Sequence, residues 1–259
     1  MAEFRDDNRR GSRFERVDLT GAQFDHVHLN DATLGFVELL RVRMHDVDID
    51  DVEIEGEIGR LIINGVDVGA VVEAELNRRD PERAVMRPQT PDGFREAWSV
   101  LESRWSETVR RAGRLPAGDL HTSVDGEWSF TETLRHLLFV TESWLTRAIL
   151  GTPSPWHPLS LPWDGMPDTP GVPRDRAARP SLETVLAVRA DRQATVRAYL
   201  ASLTEEILDS RTKPVPGAGW PPPRSFPVRE CLRVLVNEEW QHARFAERDL
   251  AVLESGRPA

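Results

Sequence analysis

The chain has 259 residues, of which 39% are hydrophobic and 29% charged, so it can form one large domain or two smaller ones. Its formal net charge of −10 argues against a general nucleic-acid-binding protein. The sequence contains no run of about 18 apolar residues, so no membrane-spanning helix is predicted. Because Cys231 is the single cysteine and the N-terminus lacks the apolar core of a secretory signal, we expect a cytoplasmic protein.

The first part of the chain contains a repeat with a period of five residues. Each step carries a large apolar residue: Phe14, Leu19, Phe24, Leu29, Leu34, Leu39, Met44, Ile49 and Ile54. A small or β-branched residue precedes each of them by two positions. This period fits neither a helix nor a flat strand. The pattern resembles the pentapeptide-repeat family, which implies that residues 12–56 form a short right-handed quadrilateral β-helix with the large residues pointing inward.

The repeat is also the acidic part of the chain. Residues 1–80 hold 19 acidic and 10 basic side chains, which accounts for nearly all of the net charge. His26, His28 and His45 occupy outward positions of the repeat, where we expect them to be solvated. Some acidic members of the family resemble DNA in shape and charge and bind topoisomerases, so the resemblance leaves open an interaction protein that acts through this repeat.

The residues after the repeat predict a short transition. Asn64-Gly65 is a turn signal within a strand-like stretch, residues 58–72, which we expect to close the last coil. A short helix is predicted over 73–79, ended by Asp80-Pro81. The predicted domains are therefore the β-helix over 1–72, a linker over 73–89 and a second domain over 90–259.

From Thr90 onward the apolar residues follow a helical period. Four long amphipathic helices are predicted, over residues 93–112, 130–149, 182–203 and 227–253, with a short helical piece at 205–210. The expected N-caps are Thr90 or Asp92 for the first of these helices, Ser129 for the second and Ser181 for the third. Two long Pro- and Trp-containing connections are expected to pack over one end of the bundle. The fold class predicted is therefore α+β with two domains, a β-helix followed by a four-helix bundle.

Polar residues on two of these helices predict a metal site. Glu238 and His242 lie four residues apart, so they share one helix face, and that face is otherwise apolar. An ionisable pair on a core-facing stripe needs a partner, because an unpaired buried charge is costly. His136 occupies an inward position of the second helix and can complete a divalent-metal site. His121 and His157 are weaker candidates in loops.

The order and spacing of these residues resemble a known superfamily. SFTETLRHL is followed about a hundred residues later by NEEWQHARF. The pair is similar to the DinB-like metal-dependent four-helix bundles, over residues 88–255. Many members carry His where this chain has Glu238, and that difference resembles the mycothiol-dependent maleylpyruvate isomerases and related thiol S-transferases.

The resemblance implies both a ligand set and a reaction. His136, Glu238 and His242 would bind zinc or another divalent metal. The activity implied is that of a thiol S-transferase or isomerase, with a low-molecular-weight, mycothiol-like thiol and a small electrophile as partners. A non-catalytic DinB-like metal-binding protein in a stress response is the alternative, and a homodimer is compatible with either. Neither a membrane nor a nucleic acid is expected as a partner.

Further residues have predicted roles around this site. Glu239 is the candidate catalytic residue, as a proton acceptor or as a partner of a ligand ring; a salt bridge to an arginine such as Arg135 or Arg244 is the competing role. Arg189 and Arg192 are candidates for binding a carboxylate of the thiol or substrate.

The sequence also predicts roles for four tryptophans and for the cysteine. Trp residues can wall the pocket or pack in the core, and the candidates are Trp128, Trp163, Trp220 and Trp240. Cys231 is expected to pack as a small buried residue rather than to act as a thiolate.

Overall fold

The computed structural model describes residues 4–5, 7–35, 37–54, 56 and 58–256. The chain separates into two compact units, Met1–Gly56 and Glu57–Ala259. Residues 1–3 and 257–259, the outer ends of the two predicted domains, lie outside the described residues.

The first unit keeps the five-residue period but does not show the predicted β-helix. None of its described residues is in a strand. Positive φ angles recur every five residues, at Gly11, Arg16, Gly21, His26, Asp31, Arg41, Asp46 and Asp51. The large apolar residues of the repeat are 50–67% exposed, so the prediction that they point into a packed interior is wrong. Without strands that stack coil on coil, these side chains have no enclosed interior to enter. Membership of the pentapeptide-repeat family stays a prediction.

The second unit begins with a small hairpin. Strands β1 (Ile62–Ile63) and β2 (Val66–Asp67) pair antiparallel, and they are the only strands in the described part of the chain. Asn64 and Gly65 both have positive φ, which confirms the predicted turn and fits a two-residue hairpin loop. Among the described residues the sheet content is thus far smaller than the predicted α+β class requires.

Helices make up most of the second unit. Two short helices, α1 (Gly69–Arg79) and α2 (Glu82–Val85), precede the bundle. The long helices are α3 (Pro91–Ala112), α4 (Phe130–Thr141), α5 (Leu182–Ser202) and α7 (Val228–Glu254), with a short α6 (Glu205–Asp209) before the last. A 3₁₀ turn covers Asp119–His121, and α4 continues as a π-helical segment, Glu142–Ile149.

The predicted caps begin the long helices. Thr90 accepts a hydrogen bond from the Gly93 N–H at the start of α3, and Ser181 does the same for Thr184 at the start of α5. Ser129 and Glu132 form the predicted capping box, in which each side chain bonds the other residue's backbone N–H. These bonds satisfy N–H groups that have no partner within the helix, and they fix where each helix starts.

The four long helices pack as a bundle. Helix α7 contacts α3, α4 and the π-helical segment, while α5 contacts α4 and α3. Their apolar faces form two clusters of buried side chains, one around Phe94, Trp98 and Trp240 and the other around Trp105, Leu134 and Leu138. No helix of the described residues combines the length and the apolar character that crossing a bilayer requires.

The long connection between the π-helical segment and α5 is packed, as the sequence predicts. Its residues Trp156, Met166 and Val172 are buried and cluster with Phe139 of α4. Trp163 lies with its ring centroid 4.9 Å from that of Trp220, which belongs to the connection before α7. The two connections therefore meet each other and cover the side of α4 on which Phe139 lies.

Candidate metal centre

The structure brings His136, Glu238 and His242 together. Oε2 of Glu238 lies 3.5 Å from Nε2 of His136 and 3.2 Å from Nε2 of His242. One ligand atom from each of the three residues lies within 4.8 Å of the other two. Helix α4 supplies the first residue and one turn of α7 supplies the other two, so the packing of α4 against α7 builds the cluster.

The orientation of the His136 ring is set by the backbone of the long connection. Nδ1 of His136 lies 2.9 Å from the carbonyl oxygen of Leu161. A carbonyl can only accept, so Nδ1 carries the hydrogen. In the neutral ring, Nε2 is then an unprotonated nitrogen that faces the Glu238 carboxylate. A hydrogen bond of this kind is how metal-binding histidines are usually oriented.

Burial and hydrogen bonding shift two pKa values in the cluster. Burial lowers the pKa of His136, which favours the neutral ring. Burial acts to raise the pKa of Glu238, but the imidazoles of His136 and His242, in the form that carries a hydrogen on Nε2, outweigh it by hydrogen bonding and bring that pKa to about 2. A neutral imidazole and an ionised carboxylate are the protonation states that a metal ion needs.

Aromatic side chains surround the two imidazoles. The ring of Trp128 is stacked on His242, with planes 2° apart and centroids 5.8 Å apart, and it lies 4.5 Å from His136. Phe139 and Phe245 lie 6.1 Å from His136 and His242 respectively. Glu238 keeps 34% of its side chain exposed. The cluster is therefore apolar on the side of its rings and open to solvent at its carboxylate.

Glu239 has a different place from the one predicted. Its side chain is 1% exposed, and both carboxylate oxygens accept from Arg189, at 3.1 Å and 2.5 Å. This buried pair engages the predicted catalytic residue with a predicted substrate-binding residue, so neither group is free for those roles. The competing role, a salt bridge to an arginine, is the one that the structure shows, but the partner is Arg189 on α5 and neither Arg135 nor Arg244.

Arg192 likewise forms an ion pair within the protein, with Glu142. Its Nε donates to Oε1 of Glu142 at 2.8 Å, and Glu142 is fully buried. The same carboxylate accepts from the hydroxyl of Ser160 and from the backbone N–H of His157. Arg192 therefore ties α5 to the π-helical segment and the long connection, and it is not placed as a free binding group for a carboxylate.

The other predicted positions lie at varying distances from the cluster. Trp128 contacts it directly, whereas Trp163 reaches it only through Phe139, with ring centroids 6.2 Å apart. Cys231 is buried, and burial raises the pKa of its thiol to about 12, in keeping with the predicted packing role. Neither His121 nor His157 is in the candidate cluster found among the described residues.

Sequence reasoning missed two contributors to this site. One is the carbonyl of Leu161, which no side-chain pattern can reveal. The other is Arg135, whose fully buried guanidinium bonds three carbonyls of the long connection. A charged residue between apolar neighbours on a buried helix, as in TETLRHLLFV, is the signal that could have revealed it.

The comparisons with known proteins agree with this helical unit. Residues 100–246, more than half of the chain, match the family model described as the DinB superfamily. Neither the curated proteins nor the solved structures contain a match to the chain.

The buried Glu239–Arg189 pair leads to a stability prediction. Replacing Glu239 by Gln removes the negative charge and leaves Arg189 buried without its counter-charge. We expect the free energy of unfolding to fall by about 3–5 kcal/mol, measured by urea denaturation. Glu107→Gln, which breaks an exposed ion pair with Arg110, is the control and should leave the transition nearly unchanged. A Glu239→Gln protein as stable as wild type would contradict this role.

Proposed function

Because the chain belongs to the DinB superfamily, we propose that it is a metal-dependent protein in which His136, Glu238 and His242 bind one divalent ion, zinc in the first instance. We further propose that the bound metal activates a low-molecular-weight thiol toward a small electrophile. The single observation that carries the metal site is the convergence of the three side chains, with two ring nitrogens 3.5 Å and 3.2 Å from the same carboxylate oxygen.

The spacing of these atoms fits a tetrahedral ion. Nitrogen and oxygen ligands bind zinc at about 2.0–2.2 Å, which places neighbouring ligand atoms of a tetrahedron about 3.3–3.6 Å apart. The two separations in the structure, 3.5 Å and 3.2 Å, lie at or near this range. Two imidazoles and one carboxylate also form a set that suits zinc and leaves a position for an exogenous ligand. The residues present therefore fit the metal that the resemblance implies.

A metal held by these residues with an open position would supply one function: a thiol bound there would lose its proton to solvent and become nucleophilic at neutral pH. The sulfur of that thiol would then bond to the electrophilic carbon of the second substrate. With an alkene conjugated to a carbonyl, the π electrons would move toward the carbonyl and a proton from solvent would complete the adduct. The product would contain all the atoms of thiol and alkene, so no oxidant or reductant is needed.

The protein's own cysteine is an unsuitable nucleophile, which supports an external thiol. Cys231 is completely buried, and its thiol has a pKa of about 12 because burial disfavours the thiolate. A thiolate at this position is scarce at neutral pH and cannot reach a substrate. The nucleophile in the proposed reaction must therefore enter with a substrate.

The surroundings of the cluster suit a small substrate with an apolar part. Trp128 forms a flat wall against His242, and Phe245 contacts the same ring edge-on, with centroids 6.1 Å apart. Glu238 is the most exposed of the three candidate ligands and indicates the side from which a thiol can approach. This arrangement also supports the alternative, a metal-binding protein without turnover, because both functions need the same three residues.

Metal analysis tests the first part of the proposal. Purified wild-type protein should hold about one equivalent of zinc after dialysis against buffer without chelator. Glu238→Gln should lose most of that metal, because it replaces an anionic ligand by a neutral amide. His121→Ala is the matched control, since His121 lies outside the cluster, and it should keep the wild-type metal content. No bound metal in the wild type, or equal metal in Glu238→Gln, would contradict the site.

Turnover tests the second part. Zinc-loaded protein is mixed with pairs of thiols and electrophiles, including conjugated alkenes, epoxides and alkyl halides, and thiol consumption is followed. We expect faster consumption for at least one pair with wild type and with Cys231→Ala, and the uncatalysed rate with Glu238→Gln. Loss of activity in Cys231→Ala would point to a protein thiolate. Metal binding without turnover for any pair would favour the non-catalytic alternative.

A further inference from the structure

Arg135 directly precedes His136 on α4, and its guanidinium is completely buried. Nε donates to the carbonyl of Leu159 at 2.8 Å, Nη1 donates to that of Ala178 at 3.3 Å, and Nη2 donates to that of Asp175. Arg135 forms no ion pair with any residue that the structure describes. A buried cation whose acceptors are carbonyls of one connection serves to hold that connection in place.

The main chain fixes the same segment from a second direction. The backbone N–H of Leu161 donates to the carbonyl of Arg135 at 3.1 Å. The carbonyl of Leu161 then accepts from Nδ1 of His136 at 2.9 Å. Arg135 thus bonds both Leu159, through its side chain, and Leu161, through its backbone carbonyl. Leu161 in turn provides the carbonyl that accepts from the His136 ring.

We propose that Arg135 is a positioning residue for the candidate metal ligand His136. Its side chain holds the segment 159–178 so that the Leu161 carbonyl keeps His136 in the tautomer with hydrogen on Nδ1. Nε2 is then left with a free electron pair that faces Glu238. This role rests on the metal site proposed above, but the tautomer itself belongs to the metal-free protein and can be measured without any metal.

Apolar packing cannot perform this task. Trp128 and Phe139 lie against the His136 ring and restrict its plane. An imidazole turned by 180° has nearly the same shape, and either nitrogen can carry the hydrogen of the neutral ring. Only a hydrogen-bond acceptor at a fixed place distinguishes the two nitrogens. The Leu161 carbonyl, 2.9 Å from Nδ1, is a nearer acceptor than the Glu238 carboxylate, 3.5 Å from Nε2, and Arg135 is the polar side chain that holds its segment.

The chain offers a matched control in Arg147, on the π-helical segment. Arg147 is also buried and also bonds carbonyls of the connections: Pro153, Val215, Gly217 and Pro221. None of these carbonyls contacts His136. Replacing Arg147 therefore loosens the connections to a comparable degree without removing the bonds that hold residues 159–161.

The first measurement is zinc affinity, by competition with a chromophoric chelator. Arg135→Met removes the three bonds to carbonyls, and we expect zinc to bind about 10–100-fold more weakly, as is typical when a partner behind a metal ligand is lost. Arg135→Lys keeps the charge but not the planar fork, and it should fall between wild type and Arg135→Met. Arg147→Met should bind zinc within about twofold of wild type, because its bonds lie outside the path to His136.

The second measurement is the His136 tautomer in metal-free protein, from the ¹⁵N shifts of its two ring nitrogens in ¹⁵N-histidine-labelled samples. The wild type and Arg147→Met should show Nδ1 protonated and Nε2 unprotonated. In Arg135→Met, or in Arg135→Lys if the first variant does not fold, the two shifts should move toward each other as both tautomers become populated. General destabilisation of the bundle does not produce this change in a folded sample.

The outcomes separate this inference from the proposed function. A folded Arg135 variant with wild-type ring shifts overturns the inference, and so does an equal loss of zinc affinity in Arg147→Met. If wild type binds no zinc, the metal site fails, while the ring shifts of the metal-free proteins still decide whether Arg135 sets the tautomer.

Discussion

The imidazoles of His136 and His242 and the carboxylate of Glu238 lie together where α4 packs on α7. The rest of the helical unit is arranged around this cluster. Glu238 has only His136 and His242 as ion-pair partners in the described part of the chain. With the His136 ring neutral, electron pairs from Nε2 and from the carboxylate point at each other. Such a cluster is costly unless a cation or protons lie between its members. A single divalent ion between the three side chains would supply the positive charge that the cluster needs.

Buried ion pairs outside the cluster link the helices that surround it. Arg189 pairs with Glu239 and links α5 to α7, directly behind the helix turn that carries Glu238. Arg192 and Glu142 link α5 to the π-helical segment. Each of these charges has a partner inside the protein, so each joins two elements that the apolar core alone would leave free to slide. The bundle thus combines an apolar interior with a few fixed polar links.

Sequence patterns were sufficient for the long helices and the ligand cluster, but not for the first unit or for the polar links. The helices follow from apolar spacing, and the caps at Thr90, Ser129 and Ser181 follow from residue type, because both are local properties. The i, i+4 spacing of Glu238 and His242 also survives folding unchanged. The partner of Glu239 depends on the rotation of α5 about its own axis, which the sequence does not determine. In the first unit the five-residue period predicted a backbone repeat correctly, yet it could not tell which side chains would be covered.

The central claim is that His136, Glu238 and His242 bind one metal ion in the folded protein. X-ray absorption at the zinc edge, on protein loaded with one equivalent of zinc, tests this most directly. We expect a four-coordinate ion with nitrogen and oxygen ligands at about 2.0–2.2 Å and the multiple scattering of two imidazoles. A sulfur ligand at about 2.3 Å in the absence of added thiol, or a spectrum without imidazole scattering, would contradict the claim.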